Sequence, residues 1–112
     1  MRKKETEKRI NAVAKQTATL KADLINEVNE MLSKTDDGKV NLEDEEDQPM
    51  VSYDGGGDPQ NSTLYANIVE VSSYKGNTTV NVSTHNRSAD IWLADMPYDD
   101  VVTVWNTVKA RV

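Results

Sequence analysis

Between Leu64 and Ala94 apolar and polar positions alternate along the chain. Tyr65, Val69 and Val71 interleave with polar or small residues, as do Val80 and Val82, the period-two pattern of half-buried strands. Lys75-Gly76-Asn77 separates these two runs with residues that tolerate positive φ, which predicts a β-hairpin. Asp90 to Ala94 reads as a third strand. A different period governs the first part of the chain. From Lys4 to Ser33, Ile10, Val13, Thr17, Leu20, Leu24, Val28 and Met31 recur at steps of three and four, with Ala14 and Leu32 widening the stripe, which predicts a long amphipathic helix. The same spacing returns in Val101, Val104, Trp105, Val108 and Val112, with Asp99 as expected N-cap and Lys109 and Arg111 suited to a helix C-terminus. Its many β-branched residues leave a strand as the alternative for Val101 to Trp105.

The remaining apolar runs are short. Lys39 to Leu42 can form a strand with Val40 and Leu42 on one face, and Met50 to Tyr53 is a second candidate. The expected fold is a single α+β domain over residues 1–112: a long N-terminal helix in 1–34, an acidic and Gly-rich linker with short strands in 35–62, and a β-hairpin, strand and C-terminal helix in 63–112. The antiparallel sheet should have three to five strands. Both helices should cover one of its faces, because Tyr65, Val69, Val71, Val80, Val82, Ile91 and Leu93 need a common partner surface. Neighbouring strand residues alternate faces, so Ile91 and Leu93 are expected inside, Trp92 at an edge or partner surface, and Trp105 in the packing.

Charge changes this picture in one place. The net charge of −6 is concentrated: residues 35–60 hold one Lys and nine Asp/Glu, whereas residues 1–34 hold eight Lys/Arg and five Asp/Glu. Glu43 to Asp47 are five consecutive acidic residues that must stay solvated, and the segment Glu43 to Gln48 is expected to be mobile for want of apolar anchors. The absence of Cys removes disulfides and thiolate chemistry. A charged N-terminus without an apolar leader, and no apolar run long enough to span a bilayer, point to a cytoplasmic protein with no membrane partner.

Candidate chemistry is sparse. Asp36-Asp37-Gly38 before the acidic run suggests a calcium loop, but that register puts Ser33 and Thr35 where carboxylate or amide ligands are needed. Asp54-Gly55-Gly56-Gly57-Asp58-Pro59 has three glycines whose N–H groups could cradle an anion, yet no Lys or Ser/Thr follows at phosphate-loop spacing and the flanking Asp54 and Asp58 would repel one. A connecting loop or a backbone-mediated partner contact remains. The string Tyr53 to Pro59, the hairpin strand Tyr65 to Val71 and the Asp-Asp helix Asp99 to Val108 resemble small uncharacterised proteins of gut anaerobic bacteria and their mobile elements. The resemblance covers roughly half the chain and implies no activity, cofactor or catalytic residue.

His85 is the one histidine and lies in a polar loop without a second ligand or nucleophile. Asn61, Asn77, Asn81 and Asn86 begin Asn-x-Ser/Thr triplets that mean little without a secretion signal. Arg2, Lys3, Lys4, Lys8 and Arg9 form a basic cluster without interleaved aromatics, so nucleic acid is an unlikely partner. The expected function is therefore a non-enzymatic interaction or accessory protein with no cofactor and no metal. A nucleic-acid-associated regulator using the basic helix start, and a small-molecule module at the Gly-rich loop, are the alternatives. A stripe from Ile10 to Met31 would be about 32 Å long, against about 20 Å for a six-residue strand. Ile10 and Val13 are thus expected to meet a protein partner or a second copy, with Trp92, Asp54, Gly55, Gly56 and Gly57 as further contact candidates.

Overall fold

The strand Thr63–Tyr74, twelve residues long, is the one on which the others are laid. In the computed structural model, which describes residues 19–54, 63–84 and 87–112, it is the third of five antiparallel strands. These are β1 (Lys39–Asn41), β2 (Met50–Asp54), β3 (Thr63–Tyr74), β4 (Asn77–Ser83) and β5 (Ser88–Trp92). Helix α1 covers residues 19–33 and α2 covers Tyr98–Arg111. The α+β class and the antiparallel sheet are as expected. Of the helix anticipated over Lys4 to Ser33, residues 4–18 lie outside the described residues, and the described part is correspondingly short.

One edge of β3 carries β1 and β2 end to end. β1 pairs with Glu70 to Ser72 and β2 with Thr63 to Asn67. The ladder continues across the gap, with Leu42 N–H donating to Val69 O and Ile68 N–H to Pro49 O, both at 2.8 Å. β4 pairs with the other edge and β5 completes the sheet, in the order β1-β3-β4-β5. Lys75 and Gly76 form a two-residue turn with φ of 49° and 79°, the positive values that a type I′ hairpin requires at both central positions. Asn77 thereby becomes the first residue of β4, opposite Tyr74.

A bulge in β3 corrects the expected inward face. Ile68 pairs with Val82 but Glu70 with Asn81, so Val69 is an extra residue opposite β4. Before the bulge, Ala66 and Ile68 are buried; after it, Val71 is. One inserted residue exchanges the two faces of a strand. Tyr65 therefore points away from the core and is 66% exposed, contrary to expectation, and Val69 is only partly buried.

The buried side joins Val40, Leu42, Val51, Ala66, Ile68, Val71, Val80 and Val82 of the β-sheet region to Val28 and Leu32 of α1 and Val101, Val104 and Val108 of α2. Ile91 and Trp105 pack against this cluster as expected. Leu93 is buried too, though not as a strand residue: Leu93–Asp95 is a 3₁₀ turn that carries the chain from β5 to Met96, also buried. Thr78, the one buried polar residue among those described, donates its hydroxyl to Asn29 Oδ1 and ties β4 to α1. Lys21 Nζ donates to Ala94 O at 2.8 Å and fixes the same helix to the 3₁₀ turn. Leu20 lies beyond that cover and is 51% exposed.

α2 starts one residue before the expected cap. Pro97 occupies the N-cap position without a side-chain bond, and Asp99 and Asp100 both fall in the first turn. Asp100 instead reaches the free edge of β2, where its Oδ2 accepts from the backbone N–H of Ser52 at 2.9 Å and from the Ser52 hydroxyl. Thr103 and Thr107 donate their hydroxyls to carbonyls four residues back, which lets β-branched residues sit in the helix.

The acidic run is anchored, contrary to the expectation of a segment with nothing to hold it. Leu42 before it is buried, and Gln48 after it donates from Nε2 to Leu42 O at 2.7 Å. Glu43 N–H is taken by Asn41 Oδ1 and Glu45 N–H by Leu42 O. Arg111, at the end of α2, pairs with the Glu45 carboxylate. That bond holds the Glu45 carboxyl below the ordinary glutamate range and raises Arg111, chiefly by hydrogen bonding, against a smaller opposing desolvation and with a further contribution from charge.

Candidate functional site

With both helices on one side, the opposite face of the sheet has no element of the described chain laid over it. Strand alternation and the bulge together decide what stands there. On β3 it is Tyr65, Asn67 and Val69 before the bulge and Glu70, Ser72 and Tyr74 after it. β4 adds Thr79, Asn81 and Ser83, and β5 adds Asp90 and Trp92. Register aligns these side chains in rows across the strands: Met50-Asn67-Ser83, then Asn41-Glu70-Asn81-Asp90, then Lys39-Ser72-Thr79-Trp92.

Four large side chains on this face are exposed: Tyr65, Met50 at 57%, Tyr74 at 54% and Trp92 at 42%. They fall into two groups separated by the bulge. Met50, Tyr65 and Val69 border a shallow groove of about 540 Å³ with Gln48, Asn67 and Ser83. Tyr74 and Trp92 border a second of about 300 Å³ with Glu70, Ser72, Thr79 and Asp90. In the second, the two rings lie 6.3 Å apart between centroids and are tilted by 39°. Asn81 Nδ2 donates to Asp90 Oδ1 at 2.7 Å, which orients that carboxylate. Lys75, at the hairpin tip, carries its ammonium 5.3 Å from the centre of the Tyr74 ring.

Of the contact candidates named from sequence, Trp92 stands on this surface. Asp54 ends β2, paired with Thr63, on the backbone of the same sheet. Gly55, Gly56, Gly57, Ile10 and Val13 lie outside the described residues, as does His85. The residues not anticipated are Tyr74, Glu70 and Asp90. Their signal was the turn: with Lys75-Gly76 as the two central residues, counting back along both strands opposes Tyr74 to Asn77, Ser72 to Thr79 and Glu70 to Asn81.

Among the described residues no three His, Asp or Glu side chains are grouped to hold a metal ion, and no helix is long and apolar enough to cross a membrane. No family model, curated protein or solved structure matches the chain.

Proposed function

We propose that this chain is a small non-enzymatic interaction protein that binds another protein through the open face of its sheet. One observation carries the reading: two helices cover one face, while the other presents Met50, Tyr65, Tyr74 and Trp92 to solvent in two adjacent grooves. Exposed aromatic side chains gathered on one face mark a contact site, and Tyr and Trp are the residues that most often dominate binding energy. Polar neighbours such as Asn67, Asn81 and Ser72 fit the rim of such a surface.

The test compares the wild-type chain with a variant carrying Tyr65→Ser, Tyr74→Ser and Trp92→Ser. Proteins that co-purify from the native host are repurified and mixed with each form. Binding to the wild type that is lost in the triple variant, with cooperative unfolding retained, supports the reading. Undiminished binding to the triple variant overturns it.

A homodimer through the N-terminal helix is the second reading, favoured by Leu20. This residue continues the stripe of Leu24, Val28 and Met31, yet its side chain is largely exposed. Sedimentation of Leu20→Ser decides it: a wild-type dimer that becomes a monomer supports this contact, and an unchanged mass rejects it.

A further inference from the structure

The groove between Tyr74 and Trp92 has a chemistry more specific than an apolar contact. We infer that it is a cation subsite that receives a lysine or arginine side chain of the protein partner; this rests on the open face being the interaction surface. Four features converge on a positive charge. Two aromatic rings line the groove, and the face of an aromatic ring attracts cations through its quadrupole. Two carboxylates, Glu70 and Asp90, stand in its wall in one cross-strand row, separated by Asn81. Thr79, directly opposite Trp92, contributes a buried hydroxyl with no hydrogen-bond partner among the described residues. Finally, the Tyr74 ring already attracts a cation, the Lys75 ammonium 5.3 Å from its centre, which an incoming cationic side chain would displace from the exposed turn.

The donor count fits as well. An ammonium offers three N–H donors and a guanidinium five, and neither accepts. The groove offers carboxylate acceptors at Glu70 and Asp90, and hydroxyls at Ser72 and Tyr74 that can also accept. An anionic ligand would face both Glu70 and Asp90, with the Lys75 ammonium over Tyr74 as the nearby positive charge among the described residues. Lys39 is on the same face, but at the β1 end of the Thr79-Trp92 row, three strand spacings or about 14 Å from Trp92.

The experiment is a titration of the full ¹⁵N-labelled chain, followed by NMR, with three synthetic peptides of equal length. They alternate serine with lysine, arginine or norleucine, the last matching lysine in apolar length without its charge. The two indole N–H signals provide an internal control, because Trp105 lies on α2 against the core. The expected result is a saturable shift of the Trp92 indole and of Tyr74, Thr79 and Asp90 with the lysine or arginine peptide. The Trp105 indole stays in place, and affinity falls as salt is raised. The norleucine peptide binds at least about tenfold more weakly. Trp92→Ala and, separately, Glu70→Gln with Asp90→Asn each weaken the cationic peptides several-fold. The carboxylate pair serves as the second variant should Trp92→Ala unfold.

An unmoved Trp92 indole with both cationic peptides overturns the subsite, as does equal binding of the norleucine peptide. If cationic peptides fail while the triple open-face variant still loses its protein partner, the subsite falls and the interaction surface stands. If they bind at Trp92 while that variant keeps its partner, the groove takes cations but the interaction reading, and with it the partner side chain as occupant, falls.

Discussion

Val69 decides which side chains the protein shows to its surroundings. As the extra residue opposite β4, it turns Ile68 inward and Tyr65 outward, and places Glu70, Ser72 and Tyr74 on the open face. The energetic consequence is large for one of two close neighbours and small for the other. Ile68→Ala empties a fully buried site and should cost about 2–5 kcal/mol, whereas Tyr65→Ala removes exposed surface and should stay within about 0.5 kcal/mol. Urea unfolding of both variants checks this, and similar losses would mean that the strand has the opposite parity. The hairpin turn offers a cleaner case of backbone cost. A Cβ added at Gly76 meets no atom within 4 Å, so only its φ of +79° penalises a side chain. Gly76→Ala should lose about 1–2 kcal/mol of stability in the same assay.

At the scale of elements, the sheet edges are managed by α2 and by the acidic turn. Asp100 occupies the free N–H of Ser52 on the outer side of β2, which would otherwise offer an unpaired strand edge to another chain. Asp100→Ala removes a charged acceptor from a partly buried donor. The expected loss is about 1.5–3 kcal/mol by chemical denaturation, and a smaller loss in Ser52→Ala, which keeps the backbone bond. The Glu45–Arg111 pair is exposed and its contribution correspondingly modest. Its sign is nonetheless definite. A carboxyl held below its unfolded-state range stabilises the fold above that range and ceases to do so as pH falls through the lowered native value. The melting temperature of Glu45→Gln should therefore lie below that of the wild type at neutral pH, with the gap closing in acid below the usual glutamate range near about 4.3. A gap that widens on acidification would contradict the pairing.

What could be read from the chain divides along the same lines. The hairpin, β5's alternation of Ile91 inward and Trp92 outward, and the α2 stripe were legible because each depends on residues near one another in sequence. The bulge was not, because Val69 is apolar and suits either face. The tandem pairing of β1 and β2 on one edge, the hold of Arg111 on Glu45 and the reach of Asp100 to Ser52 depend on residues 48 to 66 positions apart for the side-chain bonds, which no local pattern reports. The surface followed only in part: Trp92 stood out as a large apolar residue of the wrong parity for the core, while Tyr74, Glu70 and Asp90 acquired meaning only through the register.

For the molecule as a whole, among the described residues two helices lie on one face of a five-stranded sheet and no element lies on the other. The fully buried core on the covered side is mostly Val and Leu, with Tyr53 and Trp105 packed against it. Three of the chain's aromatic residues, Tyr65, Tyr74 and Trp92, lie on the other side, where they contribute nothing to that core. Half of the six aromatic residues thus stand on a face that the core does not use, and that such a face is a surface to be covered is the central claim. Hydroxyl-radical footprinting of the chain, free and in complex with a repurified partner, tests it most directly. The account predicts strong protection of Tyr65, Tyr74 and Trp92 on binding, with Trp105 and Tyr98 unchanged. Protection confined to the helices, with Tyr65, Tyr74 and Trp92 labelled as fully in the complex as in the free chain, would contradict it.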